Sequence, residues 1–298
     1  MIDPLSDVIA LLKPRTVFSK GISGAGSWAV RYSDFGQPSF CAVLLGSCRL
    51  AVDGHAPITI QAGDFVLLPS TPGFTMSSFE PAMPVFIDPK TAAAQTEEVR
   101  HGARGVPPDV QLLGGYFTSD SANADLLLSL LPTLVHVSGS HRLTALVQMV
   151  REESVEQRAG CDQALPRLVE LLMIEALRLT SSEASSPGLL RGLADPRLAP
   201  AMRKMHGEVD TPWTVEKLAK ESALSRSSFF DRFTKAVGVP PMEYLLTWRM
   251  ALAKSLLREE RLGVAEVADR VGYGSASAFS TAFSRHVGVA PSLFGRVG

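Results

Sequence analysis

Cysteine, histidine and aromatic residues are scarce in this sequence. Three cysteines in 298 residues (Cys41, Cys48, Cys161) exclude a disulfide-framed fold, and the absence of a C-x-x-C pair excludes a zinc knuckle. Six histidines form no recognisable ligand spacing. No apolar run approaches the ~18 residues of a membrane span. The densest, LLLSLLPTLVHV (Leu126 to Val137), is short and is interrupted by Pro132. The opening MIDPLSDVIALLKPR has no basic start followed by an apolar core and a small-residue cleavage site, so a cytoplasmic protein is expected. What the chain does have is 46% hydrophobic and 20% charged residues, which suits globular domains with real cores. Its length suits two of them.

The net charge of -1 hides an asymmetry. From Pro196 onward there are 15 Lys and Arg against 10 Asp and Glu, a net +5; the preceding residues carry a net -6. An acidic first part and a basic last part are expected when only the latter meets a polyanion. The first part reads as strands: Phe40 to Leu45, Cys48 to Val52, Ile58 to Ile60 and Phe65 to Leu68. Turn signals at Gly46, Asp53-Gly54, Gly63-Asp64 and Pro72-Gly73 separate them. Such spacing predicts a sandwich or barrel. Cys41 and Cys48 are near enough in sequence for a redox pair, but small residues packed in strands are the plainer reading.

After Gly115 the pattern turns helical, over Leu126 to Leu134, Leu143 to Val155 and Ala164 to Thr180. In the last, Leu165, Leu168, Leu172, Ala176 and Leu179 form one apolar stripe. It fits a helix packed on its own domain, and it fits a contact between equivalent helices of a homodimer. SSEASSPGLL (Ser181 to Leu190) is small, polar and Pro/Gly-bearing, a linker composition.

The rest is helical and contains a repeat. SRSSFFDRFTKAVGVPP (Ser225 to Pro241) and SASAFSTAFSRHVGVAP (Ser275 to Pro291) are identical at eight of seventeen positions. Ser225 and Ser275 are natural caps, Gly238 and Gly288 natural stops. Phe229, Phe233 and Val237, like Phe279, Phe283 and Val287, recur at i, i+4, i+8 and so face one core. Each copy follows a short helix and turn (Trp213 to Leu224; Val264 to Gly274), which makes two helix-turn-helix units. The second turn is one residue longer. The differing positions, including 226, 228, 231, 232 and 235 against 276, 278, 281, 282 and 285, are expected to face outward and to read two different surfaces. Met242 to Glu259 between the copies reads as a helix of ~17 residues, or ~25 Å. Together with the width of each unit it can hold two readers near the ~34 Å of one turn of B-DNA.

These residues resemble the paired helix-turn-helix domain of the arabinose-regulator (AraC/XylS) transcription factor family over about Asp195 to Arg296. The resemblance implies a bacterial regulator whose helices 226–235 and 276–285 enter successive major grooves of double-stranded DNA. Members often carry Arg where Asp231 and Thr281 stand here. Base reading is therefore expected from Arg226, Ser228 and Arg232 in the first unit and from Ser277, Ser280 and Thr281 in the second. Ser225, Lys235, Ser275 and Arg285 complete the expected DNA-binding set, Arg285 as a phosphate contact.

The strand region, GQPSFCAVLLGSCRLAVDG followed by AGDFVLLPSTPGF, resembles the cupin-type sensor domain of one branch of that family. Counting from Gly36 puts the metal-ligand positions of catalytic cupins on Ala42, Leu44, Cys48 and Phe74, a set that cannot hold the metal. No metal, no cofactor and no catalytic residue are expected. The competing reading is a cupin-type enzyme with an accessory helical domain.

The expected fold is α+β with two domains: an N-terminal cupin-like β-barrel with appended helices, and a C-terminal all-α domain of two helix-turn-helix units joined by a long helix. The expected boundaries are 1–118 for the barrel, 119–180 for a helical dimerisation segment, 181–195 for a linker and 196–298 for the DNA-binding domain. A homodimer, a small-molecule effector and a contact with RNA polymerase are the expected partners, with no membrane. The effector-binding residues are not legible.

Overall fold

The computed structural model describes residues 3–88, 98–119, 124–156, 158–180, 187–258 and 260–295. By contact the chain makes two compact units, and sequence order does not separate them. One comprises Pro14–Ser119 and Pro132–Thr180; the other comprises Met1–Lys13, Asp120–Leu131 and Ser181–Gly298. Helix α1 (Pro4–Leu12) belongs to the second.

The strands are β1 (Pro14–Ala25), β2 (Ala29–Tyr32), β3 (Ser39–Leu45), β4 (Ser47–Val52), β5 (Ile58–Gln61) and β6 (Phe65–Leu68). They continue with β7 (Phe74–Ser77), β8 (Val85–Ile87), β9 (Val99–Gly102) and β10 (Val110–Ser119). Helix α2 (Ala124–Leu128) follows, then β11 (Val135–Val137), α3 (His141–Glu156) and α4 (Cys161–Leu179). The strands make two sheets, in the orders β11-β6-β3-β10-β1-β9 and β5-β4-β7-β2-β8. The expected barrel is corrected here: among the described residues no ladder joins an edge of one sheet to the other. The chain changes sheet at Gly46. Its φ is +72°, and a Cβ there would lie 1.8 Å from the Asp109 carbonyl oxygen, so only glycine can make the step.

Alternation decides which side chains face the other sheet. In β4, Cys48, Leu50 and Val52 are buried while Arg49 points away. They meet Val30, Val43, Val66, Leu68 and Leu112 in one apolar core. On the opposite face of the larger sheet Phe40 stacks on Phe65 and Phe117. The same face of β3 carries Ala42, which pairs with Phe65 and Leu113.

Two helical expectations shift. The helix expected over 126–134 ends at Leu128, and the chain passes into β11 against β6, because Pro132 can neither donate to a helix nor continue it. In α4 the buried stripe is Val169, Leu172, Met173, Ala176 and Leu177, packed toward α3 and β1, while Leu179 is half-exposed. Leu172 and Ala176 of the expected stripe thus serve the core of their own unit.

The second unit adds α5 (Leu189–Ala194), α6 (Ala199–Gly207), α7 (Val215–Glu221), α8 (Arg226–Val237), α9 (Pro241–Arg258), α10 (Val264–Arg270), α11 (Ala276–Val287) and α12 (Pro291–Phe294). Helix α1 is capped by Asp3, whose side chain accepts from Leu5 N–H, and it buries Leu5, Val8, Ile9 and Leu12. It packs on α2, α6 and α9. Fully buried His206 of α6 makes the polar join, with Nε2 2.7 Å from Tyr244 Oη and Nδ1 3.2 Å from an Asp7 carboxyl oxygen. The imidazole stacks 4.1 Å from Trp248. Burial lowers its pKa, and Asp7 only partly offsets that.

Within the stretch read as a linker, residues 181–186 lie outside the described residues, and Leu189–Ala194 is the helix α5. It folds because Leu189 and Leu190 are apolar enough to bury, and Leu189 N–H donates to Leu130 O at 2.8 Å. Gly192 makes room for Met202: a Cβ there would sit 2.6 Å from its sulfur.

Candidate nucleic-acid interface

Each half of the repeat is built by the same local chemistry. Thr214 caps α7, its hydroxyl accepting from Lys217 N–H. Ser225 caps α8, accepting from Ser228 N–H at 3.2 Å, and Ser275 caps α11, accepting from Ala278 N–H at 3.1 Å. Gly238 (φ +89°) and Gly288 (φ +84°) end these helices in the left-handed conformation, donating to Thr234 O and Ser284 O. Phe229, Phe233, Phe279 and Phe283 are fully buried, as their spacing requires. Helices α8 and α11 begin and end at the residues expected from the caps and stops.

The turns are also homologous. Leu224 N–H donates to Ala219 O and Tyr273 N–H to Ala268 O, so Tyr273 corresponds to Leu224 and Gly272 to Ala223. Both of these preceding positions have positive φ, +50° at Ala223 and +77° at Gly272. The extra residue of the second turn is therefore Gly274.

Most differing positions are on the surface. Arg226, Ser228, Asp231, Arg232 and Lys235 are exposed on α8, and Ala278, Thr281 and Arg285 on α11; Ser277, which both copies share, is exposed too. Ser225 and Ser275 are exposed as well, while Ser280 is half-buried. Ala236 is the exception, buried where α5 approaches and accepting from Gly188 N–H.

The site residues differ in how far they are already engaged. The Ser225 hydroxyl donates to Ser228 Oγ at 2.9 Å. The hydroxyls of Ser280 and Thr281 donate to the carbonyls of Ala276 and Ser277, one turn back, so each offers an outside partner only its acceptor side. Arg232 Nε donates to Asp195 at 2.5 Å. Burial alone would raise the Asp195 carboxyl, but the bonds from Arg232 and from Arg197 N–H together hold it below the ordinary range.

Helix α11 is poorer in charge. Partial burial and Lys254 lower the His286 pKa, and Arg285 is the helix's full cation. Sequence reading missed Arg249 of α9, whose guanidinium is engaged between the two helix-turn-helix units. The available signal was a single arginine between Trp248 and Met250 in the apolar run Leu245 to Leu257.

In the other unit, Val43 belongs to the inter-sheet core and Cys41 packs against it. Ala42 and Leu44, on which the cupin metal positions were counted, lie on the opposite face of β3, with Leu44 half-exposed. Cys48 is fully buried and Phe74 stacks on Tyr32. Among the described residues no three His, Cys, Asp or Glu side chains gather as a ligand set. Burial, with the neighbouring Cys48, pushes the Cys41 thiol far up, and burial pushes Cys48 up to about 12. Neither is a thiolate at neutral pH, and thiolate is the form a redox sensor needs.

A family model described as cupin matches residues 3–181, and one described as a helix-turn-helix domain matches residues 218–296. A putative AraC-like transcription regulator of Streptomyces lividans is 37% identical over 97% of this chain and 96% of its own. The HTH-type transcriptional regulator AlkR of Acinetobacter baylyi is 30% identical over 90% of this chain and 91% of its own. The crystal structure of ToxT from Vibrio cholerae with an unsaturated fatty acid bound aligns over 95% of both chains, with 14% identity and a TM-score of 0.38. No helix among the described residues is long and apolar enough to cross a membrane.

Proposed function

Because the chain belongs to the AraC-like transcription regulators, we propose that α8 and α11 are its two DNA-reading helices, held by the two helix-turn-helix units on either side of α9. The carrying observation is that one capped, phenylalanine-cored scaffold is built twice with different exposed side chains. Two copies of a scaffold with two outer faces suit two half-sites of different sequence.

The residues divide by what they can still offer. Arg226, at the first turn of α8, is an exposed cation suited to a guanine edge, and Ser228 supports it. Arg232 reads bases only by leaving Asp195, and otherwise it braces α8 against the segment that follows α5. Lys235 and Arg285 suit phosphates. Ser277, Ser280 and Thr281 give the second helix short polar contacts, and the caps Ser225 and Ser275 hold backbone N–H groups toward the backbone of the duplex. The first unit therefore carries most of the base discrimination.

The two-sheet unit is the sensor. Its interior is apolar, which suits a small hydrophobic effector. A homodimer formed through the α3–α4 face would present two such readers, and an effector would act by favouring one arrangement of the pair. A contact with RNA polymerase belongs to the same reading, as does work in the cytoplasm, where promoter DNA is reached. The proposed division of labour along the sequence is 1–118, 119–180, 181–195 and 196–298, except that residues 1–13 and 120–131 pack in the unit of the DNA-binding domain.

Selection from random duplex DNA, followed by footprinting on the enriched site, tests this function. A bipartite site is expected; failure to enrich any sequence at moderate salt would overturn it. On that site Arg226→Ala is expected to cost ~1–3 kcal/mol, or roughly fivefold to 150-fold in affinity, with relaxed preference at one base pair. An equal loss on all sequences would make Arg226 a phosphate contact. One bound transition metal per chain in the purified protein would favour the cupin-enzyme alternative.

A further inference from the structure

Arg249 lies at the middle of α9, the helix between the two units, and is half-buried. Its Nε donates to Val209 O at 3.0 Å, and its Nη2 donates to Val209 O and Thr211 O, both at 2.8 Å. Those carbonyls belong to the loop that leads into α7. That loop is itself pinned, since Trp213 Nε1 donates to Glu208 O at 2.8 Å and the Trp213 ring is buried.

The other side of the same guanidinium faces the second unit. Its carbon stands 5.9 Å from the centroid of the Tyr273 ring, in the turn before α11. Tyr273 packs edge-on against Phe279, in the core of α11, at 5.6 Å. The turn comes in so close that a Cβ on Gly272 would lie 2.6 Å from both Arg249 Nη2 and Asp210 O. The first unit's turn has alanine at the matching position and makes no such approach a requirement of its sequence.

Two rigid bodies joined by one helix can still turn about that helix's ends. A second point of contact removes this freedom. The loop 208–213, Arg249 and the turn Gly272–Tyr273 form that second contact, and a planar fork can bind two carbonyls on one side while its charge faces a ring on the other.

We propose that Arg249 is a positioning residue for DNA recognition: it clasps the loop of the first unit to the turn of the second, and so sets the spacing at which both readers accept one duplex. This rests on the assignment of α8 and α11 as readers. The partial burial of the guanidinium, which lowers its pKa, marks the desolvation that so many bonds must offset.

The test uses the full chain and its selected site, lengthened or shortened by one base pair between the halves. One inserted pair turns the second half by about 34° and moves it by about 3.4 Å. The wild type is expected to lose at least about tenfold in affinity. Arg249→Gln and Arg249→Lys are expected to lose less than about threefold for the same insertion while binding an isolated half-site as the wild type does. A residue that merely supported the fold would weaken every site alike and leave that ratio unchanged.

If Arg249→Gln does not fold, the ratio is read on Arg249→Lys and on Tyr273→Leu. The latter gives the second turn the residue of the first and removes the ring that faces the guanidinium. A wild type indifferent to spacing, or folded variants that keep the tenfold penalty, would overturn the proposal. Enrichment of no sequence at all would instead overturn the DNA-reading assignment beneath it.

Discussion

Arg232 and Asp195 show how a charge on a proposed reading helix is already committed within the fold. The pair is 49% and 16% exposed, so it stays partly hydrated and contributes no more than about 1 kcal/mol. Its pH dependence has a definite sign. The Asp195 carboxyl is depressed in the fold, so its contribution is complete above the unfolded value near pH 4 and is lost as pH falls through the folded value. Thermal unfolding followed from pH 6 down to pH 2.5 is expected to show wild type and Asp195→Asn converging at the acid end. A difference that persists unchanged at pH 2.5 would mean that the pair adds nothing through charge. Arg226, by contrast, is exposed, with no ion-pair partner among the described residues, and this contrast was not legible in the sequence.

At the scale of elements, the two turns use the same left-handed step with different residues. Gly272 adopts it without strain, and nothing larger fits there. Ala223 adopts it at φ +50°, where a Cβ costs about 1–2 kcal/mol. Ala223→Gly is therefore expected to stabilise the unit by up to about 1 kcal/mol, after the added freedom of the unfolded chain is set against the relieved strain. Denaturant midpoints of the two proteins check it, and a lower midpoint in the variant would show that the Ala223 methyl is packed rather than strained. The helix limits here were readable because serine caps, glycine stops and phenylalanines at i, i+4 act within one or two turns. The helix expected at 126–134 was misread because its apolar residues serve two units, and only Pro132 marked the change.

Across the whole molecule, the first thirteen residues are far in sequence from the units they support. Leu5, Val8, Ile9 and Leu12 of α1 are buried, α1 packs on α2, α6 and α9, and Asp7 meets His206. Burying an aliphatic side chain is worth about 1.5–3 kcal/mol, so removal of residues 1–13 is expected to cost the DNA-binding unit several kcal/mol. Calorimetry of the shortened chain should show a transition at least about 5 °C lower for that unit, given that about 1 kcal/mol shifts a midpoint by several degrees in a domain of this size. An unchanged transition would mean that α1 is a passive neighbour. The fragment 187–298 alone should be similarly weakened.

What the sequence determined by itself was everything governed by neighbours a few residues away: strand alternation, caps, stops, the repeat, and through these the family and the kind of surface it presents. The tertiary structure decided the rest. It opened the expected barrel into two sheets, because strand closure depends on which edges meet, and it took Leu172 and Ala176 of the α4 stripe into the core, because a stripe does not name its partner. It also brought Asp7 to His206, Asp195 to Arg232 and Arg249 to the second turn. Each of these pairings depends on where distant segments come to rest, and no local pattern encodes that.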